Sequence, residues 1–170
     1  MKRLLAIVLP LCLLASLCAC AAQETELSDP VSFYFLRADV SYSEAGEVFT
    51  PVEVSATGHT GDIAYLLGEY LALEPGEGVK SPFPAQLQLL SLEIGEEGVS
   101  ITVSDELAAC TGIARSLACA CLTLTAAELT ELDTVTIRTP GSEQAEAIEI
   151  TMSLSSLELS DKAIAQEDSE

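Results

Sequence analysis

Two apolar stripes at helical spacing, each set among strand-like segments, constrain the fold of this chain more than any other feature. The first stripe places five apolar residues on one face of a helix: Ile63, Leu66, Leu67, Tyr70 and Leu71. Thr60 or Asp62 is placed to cap the start of this helix, and Pro75-Gly76 is placed to stop the chain from continuing it. A helix over residues 63–71 is therefore predicted.

The second stripe follows from about Gly112 and predicts a second helix over residues 113–124. Its apolar face is predicted to hold Ile113, Leu117, Ala120, Cys121 and Leu124. Thr125-Ala-Ala-Glu128 matches a capping box, in which a threonine and a glutamate three residues later cap a helix start. This motif predicts a short new helical turn at Thr125.

Six segments rich in branched and aromatic residues are predicted as strands: Val31–Arg37, Val48–Val54, Leu87–Ile94, Val99–Val103, Thr134–Thr139 and Ala147–Leu154. Pro51 places the second of them at a sheet edge or a bulge, because proline has no N–H for a ladder. The order β-β-α-β-β-α-β-β predicts an α+β domain. Its sheet is expected to be single and mixed or mostly antiparallel, with both helices packed on one face.

The N-terminus has the anatomy of a cleavable secretion signal, with Lys2 and Arg3 ahead of an apolar run from Leu4 to Leu17. That run is shorter than the roughly 20 residues of a membrane-spanning helix. Leu17-Cys18-Ala19-Cys20 resembles the lipobox of bacterial lipoproteins, with leucine at −3 and a small residue at −1. The resemblance implies that residues 1–19 are removed and that Cys20 carries a diacylglycerol on its thiol, with a further acyl chain such as palmitate often on its new amino end.

The strongly acidic composition of the chain limits the kinds of partner that it can bind. Removal of residues 1–19 takes away Lys2 and Arg3 and no acidic residue, so the formal net charge changes from −20 to −22. A nucleic-acid partner is excluded, since phosphate binding needs a basic patch. The favoured interpretation of the charge is solubility, and a cationic partner surface is the alternative. The expected organisation is a lipidated linker at 20–30, one domain at 31–159 and a disordered acidic tail at 160–170.

The domain resembles the GerMN domain of sporulation and spore-germination lipoproteins. Four stretches carry the resemblance: Val31–Phe35; Leu73–Gly76 with Val79–Ser81 and Pro84; Leu89–Ser91 through Val103–Leu107; and Leu122–Thr125 through Val135–Ile137 and Gly141. Together they span Val31 to about Leu154. One departure is that Glu47 and Glu53 stand where the family often carries basic residues.

The resemblance implies a fold similar to small α/β modules that build rings in membrane-spanning assemblies. The family has no established catalytic centre, and some members help a complex assemble between the two cells of a developing spore. The resemblance therefore implies a role through protein contacts and supplies no catalytic residue.

The residues themselves give little support for catalysis. The one histidine, His59, precedes the first predicted helix and is interpreted as an exposed loop residue. Glu96-Glu97 and Asp105-Glu106 are the carboxylates that a wall hydrolase would have to bring together. In a chain with 27 acidic residues such adjacent pairs are expected by chance. No catalytic residue is predicted.

Three cysteines fall inside the predicted domain: Cys110, Cys119 and Cys121. On one helix Cys119 and Cys121 point about 200° apart, and Cys110 and Cys121 are separated by a rise of ~16 Å. Disulfide Cα atoms lie within about 7 Å, so a bridge inside one regular helix is excluded. Small buried thiols are predicted, with no metal site and no cofactor.

Three hypotheses of function remain. The first is an assembly or binding role by protein contact on the outer face of the cytoplasmic membrane, through the sheet face away from the helices near Pro51. The second is capture of a solute or wall fragment, which requires a concave apolar pocket with a few polar groups. The third is a wall-active enzyme, which requires close carboxylates in a cleft.

Overall fold

The computed structural model describes residues 29–39, 48–143 and 145–157. Within them the elements follow in the order β1 (Val31–Arg37), β2 (Phe49–Val54), α1 (Ile63–Ala72), β3 (Val79–Lys80), β4 (Leu89–Ile94), β5 (Val99–Val103), α2 (Glu106–Ala109), α3 (Ile113–Thr130), β6 (Thr134–Arg138) and β7 (Glu149–Ser153). A last helical turn occupies residues 154–157. The predicted signal, Cys20 and the predicted tail at 160–170 lie outside these residues.

The strands form two sheets. The N-terminal sheet has the order β2-β1-β3, and the C-terminal sheet has the order β4-β5-β6-β7. Strands β5 and β6 pair in parallel, and every other pair in the two sheets is antiparallel. The α+β class and the mixed, mostly antiparallel pairing are therefore confirmed. The expected single sheet was wrong in this one detail, because it is divided into two.

The division occurs at one edge of β1. Tyr34 lies opposite Pro51 in the β1–β2 ladder, and its own backbone groups bond away from β2. The Tyr34 N–H donates to Thr125 Oγ1 of α3 at 2.9 Å, and the Tyr34 carbonyl accepts from the Tyr70 hydroxyl of α1. Two helical side chains thus occupy the place of a neighbouring strand. Pro51 lies on the edge strand β2, as its missing N–H predicted.

The two long helices pack on the same side of the C-terminal sheet. Because β5 and β6 are parallel neighbours, α2 and α3 form the crossover between them. Helix α3 contacts β1, β6, β7 and α1, and α1 also contacts β4. Helices that touch each other and the same sheet share one face, as predicted. Asp62 is the residue that caps α1, since its carboxylate accepts from the Tyr65 N–H at 3.0 Å.

Helix α3 differs from its prediction at both ends. It runs without interruption from Ile113 to Thr130, so the capping box at Thr125 starts no new turn. The Thr125 hydroxyl is used by the tertiary bond to β1 instead. Ile113 is 64% exposed, so its place in the predicted core stripe was wrong. The core side of α3 is formed by Ala118, Cys119, Leu122, Ala126 and Leu129.

Among the described residues, α3 is also the helix long and apolar enough to cross a membrane by length and composition alone. More than half of it is buried inside the protein. Its neighbours on several sides are strands and α1, which accounts for its apolar sequence. Helix α3 is therefore the central helix of the domain core.

Four aromatic rings form the centre of the N-terminal half of the core. The Tyr70 ring lies 5.0 Å from Phe33, 5.2 Å from Phe35 and 5.0 Å from Phe83, measured between ring centroids. Tyr70, Phe33 and Phe35 are each 0% exposed. Helix α1 is thereby fixed against the inner face of β1, while the side chain of Tyr34 projects from the opposite face of that strand.

Candidate functional site

An open groove of about 370 Å³ lies beside Tyr34, and we call it the Tyr34 groove. Apolar side chains form its floor: Phe49, Leu124, Ala127, Leu154 and Leu157. Three carboxylates stand at its rim, and they are Glu128, Glu131 and Asp133. The site therefore combines an apolar surface with concentrated negative charge.

Four separate parts of the chain position these residues. Tyr34 and Phe49 come from the paired strands β1 and β2, and Leu124 comes from α3. The segment that follows β7 is held against the turn after α3, because the Leu154 N–H donates to the Asp133 carbonyl at 3.1 Å. The groove thus has one wall from the N-terminal sheet and another from the end of the C-terminal sheet.

The polar groups of the groove differ in charge, with a neutral phenol on one side and carboxylates on the other. Partial burial raises the pKa of the Tyr34 phenol, and the negative charge of nearby Glu128 raises it further. The Tyr34 hydroxyl is therefore neutral at physiological pH and can donate a hydrogen bond toward the rim. Glu128, Glu131 and Asp133 are exposed to solvent. Such a site can attract a cation and offer an apolar surface to the group that carries it.

Glu131 occupies an unusual backbone position at the end of α3. Its φ is 58°, in the left-handed region, and its N–H donates to the Ala127 carbonyl. Glycine is the residue most often found in this position at helix C-termini, because other residues are strained there. The chain instead places a carboxylate at the rim of the Tyr34 groove.

The residues considered for catalysis are not gathered. His59 is exposed just ahead of α1, and its ring stacks on Tyr65 with 3.7 Å between ring centroids. Glu96 and Glu97 lie in the β4–β5 turn, whereas Asp105 and Glu106 follow the other end of β5. Five strand residues separate the two pairs by roughly 17 Å. The Asp105 carboxylate accepts from the Gly141 N–H at 2.9 Å, which is a structural contact.

The three cysteines of the domain are free thiols in this structure. Cys119 and Cys121 are buried in α3, as predicted. Burial raises the pKa of Cys119 to about 11 and raises that of Cys121 further. Cys110 is half-buried and precedes α3. The described residues hold no group of three or more His, Cys, Asp or Glu side chains arranged for a metal ion.

The Tyr34 groove was not predicted from the sequence, and the predicted surface was the outer sheet face near Pro51. Its lining comes from residues as far apart as Tyr34 and Leu157, and each residue type is common. The one local signal was the run of Glu128, Glu131 and Asp133 around a helix end. Acidic residues are so frequent in this chain that the run did not stand out.

A comparison with solved structures shows which fold these elements make. The chain matches the tandem GerMN domains of the sporulation protein GerM from Bacillus subtilis with a TM-score of 0.53 and 18% identity. The match covers 80% of this chain and 49% of that one. The fold is GerMN-like. The resemblance predicted from sequence is confirmed at the level of the fold, and the chain spans about half the length of the tandem structure.

A second match is to a candidate lipoprotein from Clostridium perfringens, with a TM-score of 0.45 and 14% identity over 77% of this chain and 94% of that one. The sequence matches no protein-family model and no curated protein sequence.

Proposed function

We propose that this GerMN-like chain is a lipoprotein, attached through Cys20 to the outer face of the cytoplasmic membrane, that acts without catalysis by binding a protein partner at the cell envelope. The observation that carries the proposal is the Tyr34 groove. Its apolar floor and acidic rim are suited to binding, because protein contacts combine a buried apolar centre with a polar rim.

Catalysis is the less supported alternative. The carboxylate pairs that a wall hydrolase would need lie at opposite ends of β5, and Asp105 is engaged by the Gly141 N–H. In the Tyr34 groove the rim carboxylates are exposed to solvent. The groove therefore has the properties of a recognition surface.

The anchor sets where such a surface would operate. The described domain begins at Asp29, whose carboxylate accepts from the Ala56 N–H at 2.9 Å. Hydrogen bonds from the Thr57 hydroxyl, from this Ala56 N–H and from the Ser55 hydroxyl lower the pKa of Asp29. Nine residue steps separate Cys20 from Asp29, and this length of chain reaches about 30 Å at full extension. The domain would thus work close to the membrane, where its negative charge keeps it off anionic headgroups.

Exchange of Cys20 for alanine is expected to abolish lipid attachment. Cells fed labelled palmitate should label the wild-type chain and Cys18→Ala, which changes a neighbouring cysteine of the same segment. Cys20→Ala should incorporate no label, and fractionation should show it released from membranes, because two acyl chains hold a protein stably and none does not. Label on Cys20→Ala would contradict the proposed anchor.

Crosslinking in intact cells tests the binding role. A photoreactive amino acid at position 34 is expected to give a defined crosslinked protein, because this position lies in the Tyr34 groove. The matched position is Glu96, which is exposed in the β4–β5 turn away from the groove. Recovery of the uncrosslinked chain alone from position 34, under several growth conditions, would count against a protein partner.

Capture of a small solute is the second candidate, and the size of the groove favours it. Ligand pockets span roughly 300–1,000 Å³, which includes the volume of the Tyr34 groove. A solute-binding protein would give no protein crosslink at position 34. Its thermal unfolding midpoint would instead rise with the solute present.

A further inference from the structure

We infer that the Tyr34 groove binds a short segment of a protein partner that carries both apolar side chains and lysine or arginine. The inference rests on the proposed function, since it presumes that the partner is a protein. It adds the chemistry that the partner must carry and the place where that chemistry is bound.

The floor of the Tyr34 groove favours an apolar occupant. Phe49, Leu124, Leu154 and Leu157 are all partly exposed around one concave surface. Burial of such surface contributes about 25 cal/mol per Å², so an occupant with leucine-sized side chains gains affinity there. A purely polar cation would leave the floor in contact with water.

The rim of the Tyr34 groove favours a positively charged occupant. The arginines of the described domain are engaged elsewhere: Arg37 pairs with Asp39 at 3.0 Å, Arg138 pairs with Glu149 at 2.7 Å, and Arg115 donates to the Cys110 carbonyl at 2.7 Å. None of these three arginines therefore pairs with Glu128, Glu131 or Asp133. The Tyr34 ring beside them adds an aromatic surface for a cation.

Negative charge disfavours two other occupants of the groove, which are the C-terminal segment of the same chain and a second copy of the chain. The chain continues from Leu157 into residues 158–170, which hold five acidic residues and Lys162 as their one basic residue. A second copy would bring a formal net charge of −20. Either occupant would place like charges against the rim, whereas a basic apolar segment complements it.

The test uses the full lipidated chain in nanodiscs of uncharged phosphatidylcholine, with empty nanodiscs as the blank. The probe is a fluorescent octapeptide of alternating lysine and leucine, measured by anisotropy. Matched probes replace every lysine by glutamate, or every leucine by serine. The rim variant is Glu128→Gln/Glu131→Gln/Asp133→Asn. The control variant is Glu93→Gln/Glu96→Gln/Glu97→Gln, which makes the same change in net charge at the end of β4 and in the β4–β5 turn.

The rim variant is expected to bind the lysine–leucine probe at least tenfold more weakly than wild type, and the control variant within threefold of it. Affinity should fall as salt screens the rim charges. Leu157→Ser, which alters the floor, should also weaken binding while its unfolding midpoint stays near wild type. The glutamate and serine probes should bind far more weakly than the lysine–leucine probe.

Equal losses in the rim and control variants would overturn the inference, because binding would then follow overall charge. Equal binding of the serine probe would also overturn it, since the floor would contribute nothing. So would a crosslink from position 34 to a second copy of the chain. If the rim variant still gives the wild-type crosslink in cells, the groove inference fails while the proposed function stands. If the wild-type chain gives none, the proposed function itself fails.

Discussion

Replacing Tyr70 by alanine is expected to lower the free energy of unfolding by about 3–5 kcal/mol. Tyr70 is 0% exposed and contacts the rings of Phe33, Phe35 and Phe83, so its removal leaves a cavity among three aromatic neighbours. It also removes the hydroxyl that donates to the Tyr34 carbonyl. Because small domains are stable by about 5–15 kcal/mol, this one change takes a large part of the total.

Calorimetry or denaturant titration of the full chain measures the effect, with a fall in unfolding midpoint of roughly 10–20 °C expected. Tyr65→Ala is the matched control, since it makes the same change on the same helix at a residue that is 42% exposed. Tyr70→Phe removes the hydroxyl alone and should fall between the two. A loss for Tyr70→Ala no larger than for Tyr65→Ala would contradict the described core.

Thr125→Val is expected to destabilise the domain by about 1–3 kcal/mol, because it leaves the Tyr34 N–H without its acceptor. Thr123→Val, two residues earlier on the same helix, is expected to be neutral or to stabilise the domain by up to about 1 kcal/mol. Both threonines are 0% exposed. In the described part of the chain, Thr123 Oγ1 has no hydrogen-bond partner, so its removal relieves a buried polar group.

Comparison of Thr125→Val with Thr123→Val separates the effect of the hydrogen bond on stability from the effects of side-chain volume and helix propensity. Threonine and valine are nearly isosteric, are both β-branched and have similar helix propensities, so those contributions cancel between the two variants. Denaturant unfolding at equilibrium gives both values. Amide exchange at Tyr34 should accelerate in Thr125→Val and stay slow in Thr123→Val. The same sign of stability change for both variants would show that the Thr125 bond does not hold β1.

Local sequence patterns predicted the helices and strands that have one face in the core and the other face toward solvent. Helix α1 has one apolar face and one exposed face, so the spacing of Leu66, Leu67, Tyr70 and Leu71 identified it. In β5 the alternation of buried and half-buried residues matched the alternation in the sequence. Pro51 predicted an edge strand because the missing N–H is a covalent property that no tertiary contact changes.

Features that depend on distant contacts were not predictable. Helix α3 is surrounded by β1, β6, β7 and α1, so several of its faces are apolar and periodicity could not show which of them faces the core. Thr125 satisfied a local capping rule, yet its hydroxyl bonds a residue 91 positions away. The two sheets and the Tyr34 groove depend on that contact and on others like it. Strand β3 has two residues, too few to show any alternation.

The division of the strands into two sheets gives the Tyr34 groove a second property. One wall belongs to β1 and β2, and the other follows β7, while no backbone ladder joins the two sheets in the described chain. Small shifts of one sheet against the other strain the contacts made through α1 and α3. The groove thus lies between the two sheets, and its width depends on their relative position. A molecule that contacts both walls would hold the two sheets in one relative position. Binding in the groove would therefore make the whole domain more rigid.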